Sequence, residues 1–249
     1  MPASLPNNRR SAFVQDLLAH RLVFILRMPG PGRVAELVET LWSAGARFVE
    51  VTLNTPGALG VLRTLSRKTP PGFYLGAGTV RNAADVTHAH GAGVSFVVSP
   101  VAEREIIDRT VRLGIACIAG ALTPTEINAA WTHGADFVKV FPAPSPEYIK
   151  AVHAPLEDVR LVAVGGVDAS NARDFLDAGA AAIAVGQAQL GVGADGRVRR
   201  SEVVRRAKAL ISIAGTEKRG GTPADPSAPL RAGGRSARRR LGTSRTGRP

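Results

Sequence analysis

Eight short apolar runs recur along the chain, and longer amphipathic segments separate them. They are VFIL (23–26), FVEVTL (48–53), FYLGAG (73–78), VSFVVS (94–99), IACIAG (115–120), DFVKVF (136–141), RLVAV (160–164) and AAIAV (181–185). Short runs that are nearly continuous in apolar character are typical of strands covered on both faces. The pattern therefore predicts a buried sheet whose strands alternate with helices.

The segments between the runs carry apolar residues at three- and four-residue spacing, as in 34–42, 101–113 and 169–178. This spacing is typical of amphipathic helices. Several of these segments end at a glycine, the residue that most readily closes a helix in the left-handed conformation. The glycines are Gly45, Gly91, Gly114, Gly134 and Gly179. Eight strand–helix units predict an α/β fold, a single (β/α)8 TIM barrel, with a doubly wound open sheet as the main alternative.

Both ends of the chain depart from this pattern. SAFVQDLLAH (11–20) predicts an extra N-terminal helix that closes the bottom of the barrel. After about Gly215 the sequence is rich in Arg, Gly, Pro and Ser, with too little apolar surface to offset the entropy of ordering. We therefore expect a barrel domain over 1–214 and a disordered basic tail over 215–249.

The formal net charge of +12 belongs to the C-terminal part of the chain. Residues 197–249 contain 15 Lys or Arg and three acidic residues, so residues 1–196 carry no net charge. The barrel itself is therefore not expected to bind nucleic acid. Polyanion binding through the tail is a lesser alternative, and it would be salt-sensitive and independent of sequence.

The single cysteine, Cys117, excludes an internal disulfide and fits a reducing compartment. No apolar run approaches the roughly 20 residues that cross a bilayer. The N-terminal residues also lack the apolar core of a signal peptide. We expect a cytoplasmic protein that has no membrane partner.

Barrel enzymes assemble their active sites at the carboxyl ends of the strands. The residues at these ends are Arg27, Asn54, Thr79, Pro100, Gly120, Thr123, Lys139, Phe141, Gly165, Gly166, Gly186 and Gln187. The glycine-rich turns after strands 7 and 8 are a common place for a phosphate held by main-chain N–H groups.

Lys139 is the most unusual of these residues, because the strand around it is otherwise apolar. Burial lowers the pKa of a lysine and so produces the neutral amine that attacks a ketone. The alternative is a lysine that reaches solvent at the strand end or pairs with an acid. Glu50 also lies in an apolar strand, either as a buried partner of Arg27 or Lys139 or as a group that shuttles protons beside Lys139.

Other cofactor chemistry finds little support in the sequence. No His, Cys and carboxylate residues have the spacing of metal ligands, so we expect no metal. GAGTV (76–80) lacks the third glycine of a dinucleotide fingerprint, so we expect no NAD. Cys117 is expected to be an inert buried thiol.

Seven motifs occur together in the order found in one enzyme family. They are VEVTLNTP (49–56), GAGTV (76–80), SP (99–100), GALTPTE (120–126), FVKVFPA (137–143), AVGGV (163–167) and AAIAVG (181–186). Over residues 13–214 the chain resembles the 2-keto-3-deoxy-6-phosphogluconate (KDPG) aldolases, including the 6-phosphogalactonate and 4-hydroxy-2-oxoglutarate (KHG) aldolases. The resemblance implies a homotrimeric (β/α)8 barrel that needs no metal or organic cofactor and acts on a small 2-oxo acid.

The resemblance also implies roles for single residues. Lys139 matches the lysine that forms the Schiff base, and Glu50 matches the general acid/base. Arg27 is similar to the arginine that holds the substrate carboxylate. Thr79, Pro100 and Phe141 match residues that line the pyruvate half, and Gly165 and Gly166 match the phosphate-binding turn. The implied reaction cleaves a 2-keto-3-deoxy-6-phospho sugar acid to pyruvate and glyceraldehyde 3-phosphate.

Three positions depart from the family pattern, and one of them is Ala119–Gly120, where the family has Pro-Gly before the strand-5 motif. Asn54 stands where the phosphogluconate enzymes commonly have Arg, and LNTP is closer to the phosphogalactonate members, so the configuration at C4 stays open. Strand 8 ends in Gly186–Gln187, where the family usually has Gly-Ser with a hydroxyl that binds phosphate. An unphosphorylated 2-oxo acid such as 4-hydroxy-2-oxoglutarate is therefore the alternative substrate.

Overall fold

The eight apolar runs form eight parallel strands in the computed structural model, which describes residues 8–193, 196–197 and 199–215. The strands are β1 Leu22–Leu26, β2 Phe48–Thr52, β3 Tyr74–Gly78, β4 Phe96–Val98, β5 Ala116–Ala121, β6 Phe137–Val140, β7 Leu161–Val164 and β8 Ala182–Gly186. Each strand pairs with the next in the chain, and β1 pairs with β8. This closure confirms the predicted (β/α)8 barrel and excludes an open doubly wound sheet.

Helices surround the barrel and follow the strands in alternation. Within the described residues they are α1 Asn8–His20, α2 Val34–Ser43, α3 Ala58–Ser66, α4 Ala83–Gly91, α5 Arg104–Leu113, α6 Pro124–Thr132, α7 Pro146–His153, α8 Ala172–Asp177 and α9 Arg200–Gly215. A 3₁₀ turn at Gln187–Leu190 leads from β8 toward α9. In the part of the chain that is described, no helix is both long enough and apolar enough to span a membrane.

Four of the five glycines predicted to close helices have the left-handed backbone. Their φ angles are 94° at Gly45, 68° at Gly114, 98° at Gly134 and 111° at Gly179. The prediction for Gly91 is wrong, because this residue is the last of α4 itself. Ala92 continues in the helical region, and the left-handed φ of 83° falls two residues later than predicted, at Gly93.

An aromatic cluster closes the end of the barrel where the strands begin. Phe48, Phe96 and Phe137 are the first residues of β2, β4 and β6, and all are fully buried. The ring of Phe13 from α1 lies 5.4, 5.0 and 6.3 Å from their centroids. The predicted extra helix at the barrel bottom is therefore confirmed, and it makes this end a packed apolar floor.

An ion pair that sequence analysis did not identify fixes α1 to this floor. Arg10 Nε lies 2.8 Å from a carboxylate oxygen of buried Asp136, just before β6. The other carboxylate oxygen accepts a hydrogen bond from the N–H of Cys117 at 2.8 Å, and Arg10 also donates to the carbonyl of Gly134 at 2.7 Å. These contacts join α1 to the starts of β5 and β6.

Side chains alternate along a strand, so the residue two positions after the first residue of each even-numbered strand also points into the barrel. These residues form the next layer, which lies nearer the barrel mouth. It consists of Glu50, Val98, Lys139 and Ala184. The two charged side chains thus stand above an apolar floor and below the carboxyl ends of the strands. Residues 1–7 of the predicted barrel domain and 216–249 of the predicted tail lie outside the described residues.

Candidate active site

Lys139 lies in the middle of β6, opposite Gly120 of β5 and Val162 of β7. Only 8% of its surface is exposed, and its Nζ lies 4.6 Å from the centroid of the Phe141 ring. Burial lowers the pKa of this lysine, and the Arg27 charge lowers it further, whereas Glu50 raises it. The net shift increases the fraction of neutral amine, the form that attacks carbonyl carbon.

Glu50 is 2% exposed, in the centre of β2. Burial raises the pKa of its carboxyl group to about 7, and the charges of Lys139 and Arg27 oppose part of this shift. A carboxyl group with a pKa near neutrality is able to both accept and release a proton under ordinary conditions. The burial and the raised pKa of Glu50 are consistent with the predicted role of a general acid/base, which stays a prediction.

Glu50 and Lys139 face the same interior without pairing. Among the described residues neither takes part in an ion pair, although each shifts the pKa of the other. No direct contact therefore supports the alternative that Glu50 forms a buried ion pair with Lys139 or Arg27. A carbonyl compound bound at Lys139 would lie within the electrostatic reach of Glu50.

Gly78, at the end of β3, makes room for the Glu50 carboxylate. A Cβ atom at this position would lie 2.8 Å from Glu50 Cδ and 3.2 Å from Thr52 Cγ2. Gly78 was not among the residues predicted for the site. The signal was present, because Gly76 and Gly78 are two residues apart and therefore on the same, inward face of the strand.

The remaining predicted residues lie around the barrel mouth. Arg27 and Asn54 are exposed, and Thr79 and Pro100 are partly buried beyond β3 and β4. Thr79 has a φ of 57°, in the left-handed region that a β-branched residue rarely adopts. Such strain concentrates at functional sites and is consistent with the predicted place of Thr79 in the pyruvate half.

Phe141 connects the Lys139 region with the glycine turn after β7. Its side chain is 41% exposed, and a Cβ atom on Gly165 would lie 3.4 Å from its ring atoms. Gly165 and Gly166 have φ angles of 94° and 73°, so the turn requires residues without a Cβ atom. The same aromatic ring therefore lies against the lysine on one side and the turn on the other.

Asn171 holds this turn, and sequence analysis did not identify it. Its Nδ2 donates to the carbonyl of Gly166 at 2.8 Å, and its Oδ1 accepts from the N–H of Asp168 at 2.9 Å. The available signal was an Asn just before α8, a position where such side chains bond nearby main chain.

Gln187 lies beside Arg27 where β8 and β1 close the barrel. Its Oε1 accepts from the main-chain N–H of Arg27 at 3.0 Å, and its Nε2 donates to the carbonyl of Arg27 at 2.5 Å. Both ends of the side-chain amide are therefore engaged by protein. A direct contact between Gln187 and substrate stays a prediction.

The Cys117 thiol and possible metal ligands also bear on the chemistry of the site. Cys117 is fully buried, and burial raises the pKa of its thiol to about 12, which fits an unreactive group. Within the described ranges, no three His, Cys, Asp or Glu side chains are grouped so that they could hold a metal ion.

A family model and the similar sequences with known names indicate one family. The family model of the KDPG and KHG aldolases matches residues 15–201. A probable 2-dehydro-3-deoxy-6-phosphogalactonate aldolase of Rhizobium meliloti is 34% identical over 66% of this chain and 79% of its own length. A 2-dehydro-3-deoxy-phosphogluconate aldolase of Pseudoalteromonas atlantica is 32% identical over 56% of this chain and 66% of its own.

A solved structure described as native KDPGal superposes with a TM-score of 0.71 at 30% identity. The superposition covers 77% of this chain and 93% of that one. The family-model match over residues 15–201 includes all eight strands of the barrel.

Proposed function

Since the chain belongs to the KDPG and KHG aldolase family and is a carbon–carbon lyase, we propose that it acts as a class I aldolase through an imine on Lys139. The observation that carries this proposal is the placement of Lys139 and Glu50. Both are buried in one inward layer, both have pKa values shifted toward neutrality, and neither forms a direct ion pair with another described residue. Two buried ionisable groups without an ion-pair partner among the described residues cost stability, so their placement fits a role in covalent catalysis better than a role in stabilising the fold.

The reaction begins when the neutral amine of Lys139 adds to the C2 ketone of a 2-oxo acid. Loss of water gives an iminium ion, which withdraws electrons from the neighbouring C3–C4 bond. Glu50 accepts the proton of the C4 hydroxyl as that bond breaks and an aldehyde leaves. The enamine that remains is protonated at C3 with the help of Glu50, and hydrolysis of the imine releases pyruvate.

Residues at the barrel mouth complete the substrate site in this proposal. Arg27 holds the C1 carboxylate, and Thr79, Pro100 and Phe141 line the pyruvate half. Asn54 lies at the end of β2 on the side of the leaving aldehyde. The φ of 57° at Thr79 and the exposed ring of Phe141 near Lys139 support these assignments.

The preferred substrate is a 2-keto-3-deoxy-6-phospho sugar acid, which would yield pyruvate and glyceraldehyde 3-phosphate. The names of the relatives in both the phosphogalactonate and the phosphogluconate series support a phosphorylated substrate. The turn at Gly165 and Gly166, together with Gly186, offers main-chain N–H groups at the place where barrels commonly hold phosphate.

An unphosphorylated 2-oxo acid such as 4-hydroxy-2-oxoglutarate is the second candidate substrate. The observation in its favour is that the amide of Gln187 is engaged by the Arg27 main chain. The side chain that follows β8 is then held against the Arg27 main chain, with one of its two Nε2 hydrogens already bonded there, and is not free to turn toward the distal end of a substrate.

Release of pyruvate from defined substrates tests both candidates. The phosphorylated gluconate and galactonate compounds and 4-hydroxy-2-oxoglutarate would each be supplied to the full chain, with a coupled assay for pyruvate. We expect kcat/KM to be largest for a phosphorylated compound. A larger value for 4-hydroxy-2-oxoglutarate would make it the substrate, and no pyruvate from any of them would refute the proposed function.

A homotrimer in the cytoplasm is the proposed form of the enzyme, with no partner required beyond the small-molecule substrate. The single free cysteine fits a reducing compartment. Light scattering should give three times the chain mass of 26.0 kDa. Deletion of residues 216–249 should leave aldolase activity intact, and any weak, salt-sensitive retention of DNA should disappear with the tail.

A further inference from the structure

The main chain at the end of β1 is held from both sides by side chains at or just beyond the ends of the neighbouring strands. On the β2 side, Thr52 Oγ1 donates to the carbonyl of Leu26 at 3.3 Å, and Thr55 Oγ1 accepts from the N–H of Met28 at 3.0 Å. On the β8 side, Gln187 bonds both main-chain groups of Arg27. Side chains thereby hold the main chain of three consecutive residues where the strand ends.

Arg27 depends on Gln187 because it lies one residue past the end of β1. The last register pair between β1 and β8 joins Ile25 and Gly186, so neither group of the Arg27 main chain has a ladder partner on that side. The amide of Gln187 complements them, with its oxygen facing the N–H and its nitrogen facing the carbonyl. Rotating the amide by half a turn would place its NH₂ group against the N–H of Arg27, donor against donor. Only one of the two amide orientations therefore makes both hydrogen bonds.

The side chain of Arg27 matters for the reaction, because its charge acts on both Glu50 and Lys139. An exposed arginine has many rotamers, and a fixed main chain limits where its guanidinium group can reach. We propose that Gln187 is a positioning residue that holds Arg27 for the substrate carboxylate, and that its amide is not a phosphate ligand. This inference rests on the proposed function, since it assumes that Arg27 binds a 2-oxo acid.

Different groups of the protein would then bind the two ends of the substrate. The carboxylate end of the substrate depends on Gln187 through Arg27, whereas the distal end depends on main-chain groups at Gly165, Gly166 and Gly186. Removing the Gln187 amide should weaken binding of any 2-oxo acid, pyruvate included, and should do so equally for phosphorylated and unphosphorylated substrates.

The test uses Gln187→Met, which keeps the length of the side chain and removes both hydrogen bonds. Gln189→Met is the matched control, because Gln189 lies in the same 3₁₀ turn and its side chain has no hydrogen-bond partner among the described residues. Borohydride trapping of pyruvate is measured across pyruvate concentrations in the wild type, in both variants, in Arg27→Met and in the Arg27→Met/Gln187→Met double variant.

We expect Gln187→Met to raise the pyruvate concentration for half-maximal trapping by up to about tenfold, because the cost of ordering the freed Arg27 side chain would then be paid on binding. The maximal trapping rate and the Gln189→Met value should not change. In the Arg27→Met background the Gln187 substitution should have almost no further effect, because its influence passes through the Arg27 side chain.

Three results would overturn the inference. One is an undiminished Gln187 effect in the Arg27→Met background, which would indicate a general structural role. Another is an unchanged pyruvate dependence. The third is a rise in KM confined to phosphorylated substrates, which would show that Gln187 contacts phosphate. Failure of the proposed function looks different, since the wild type would then trap no pyruvate at all.

Discussion

The two ends of the candidate site are built in different ways. At the proposed pyruvate end, the groups assigned to the chemistry are buried side chains with shifted pKa values, namely Lys139 and Glu50. At the distal end, the turn of Gly165 and Gly166 offers main-chain groups, and the polar side chains nearby are occupied in holding main chain. The first end is therefore sensitive to the identity of single side chains, and the second is sensitive to backbone conformation.

This difference determines which substitutions should be severe. A side chain that reacts covalently has no substitute, whereas one main-chain donor among several can be lost at a modest cost. We therefore expect the effects of mutation to decrease steadily from Lys139 to the glycine turn, and the following predictions rank them.

Replacement of Lys139 by Met should have the largest effect. It removes the amine that forms the imine, so aldol cleavage should fall by at least about 10⁴-fold. The fold should survive, since a buried ammonium group is costly and Met is of similar length. Pyruvate release and thermal unfolding would be measured together, and cleavage within tenfold of the wild type would contradict the assignment.

Glu50→Gln should reduce turnover by about thousandfold, because a positioned acid/base typically contributes two to four orders of magnitude. The pKa of Glu50 is raised to about 7, so its carboxylate form predominates only above that pH. In the wild type, exchange of the pyruvate methyl hydrogens with deuterium, normalised to trapped imine, should therefore fall as pH drops through about 7.

The pH inflection should be absent in Glu50→Gln, while imine trapping remains detectable. An inflection near 4.5, the ordinary pKa of glutamate, would show that the Glu50 carboxyl group is solvated and that burial does not raise its pKa. An inflection near 7 that persists in Glu50→Gln would assign it to another group.

Gly78→Ala should lower turnover by about 10- to 100-fold, since small misplacements of a catalytic group are costly. The added Cβ atom would lie 2.8 Å from Glu50 Cδ and force the carboxylate to move. Gly60→Ala is the control, because nothing lies within 4 Å of a Cβ atom there. Equal activity of the two variants would mean that the position of the carboxylate is not critical.

Gly166→Ala should have the smallest effect and the most selective one. Its φ of 73° strains an alanine by about 1–2 kcal/mol and should distort the turn. KM for a phosphorylated substrate should rise about three- to tenfold, with pyruvate trapping unchanged. Gly134→Ala is the control, because it carries similar strain at a φ of 98° beyond α6. It should lower the melting temperature without changing KM or pyruvate trapping.

The contrast between the two ends also explains what could be predicted from sequence. Charged residues inside apolar strands are visible in a linear pattern, so the sequence alone identifies Lys139 and Glu50 as candidates. The regular alternation of strands and helices likewise predicts the closed barrel and the helix beneath it. Only the end of α4 was misplaced among the glycine caps, because Gly91 and Gly93 are almost equally suitable helix terminators.

The contacts that hold the site together could not be predicted, since they join residues far apart in the chain. Gln187 and Arg27 are 160 positions apart and meet only because the barrel closes. Asn171 and Gly166 are close in sequence, but nothing in the pattern shows which main-chain group an Asn side chain will bond. The same holds for Gly78, whose importance depends on the direction of Glu50.

Borohydride reduction of the full chain in the presence of pyruvate tests whether Lys139 forms an imine. Intact and peptide masses would then locate any adduct. We expect one reduced pyruvate per chain, on the peptide that contains Lys139, and none after Lys139→Met. No adduct, or one confined to Lys218 in the tail, would contradict this expectation, and Lys139 and Glu50 would then be buried charges without a role in catalysis.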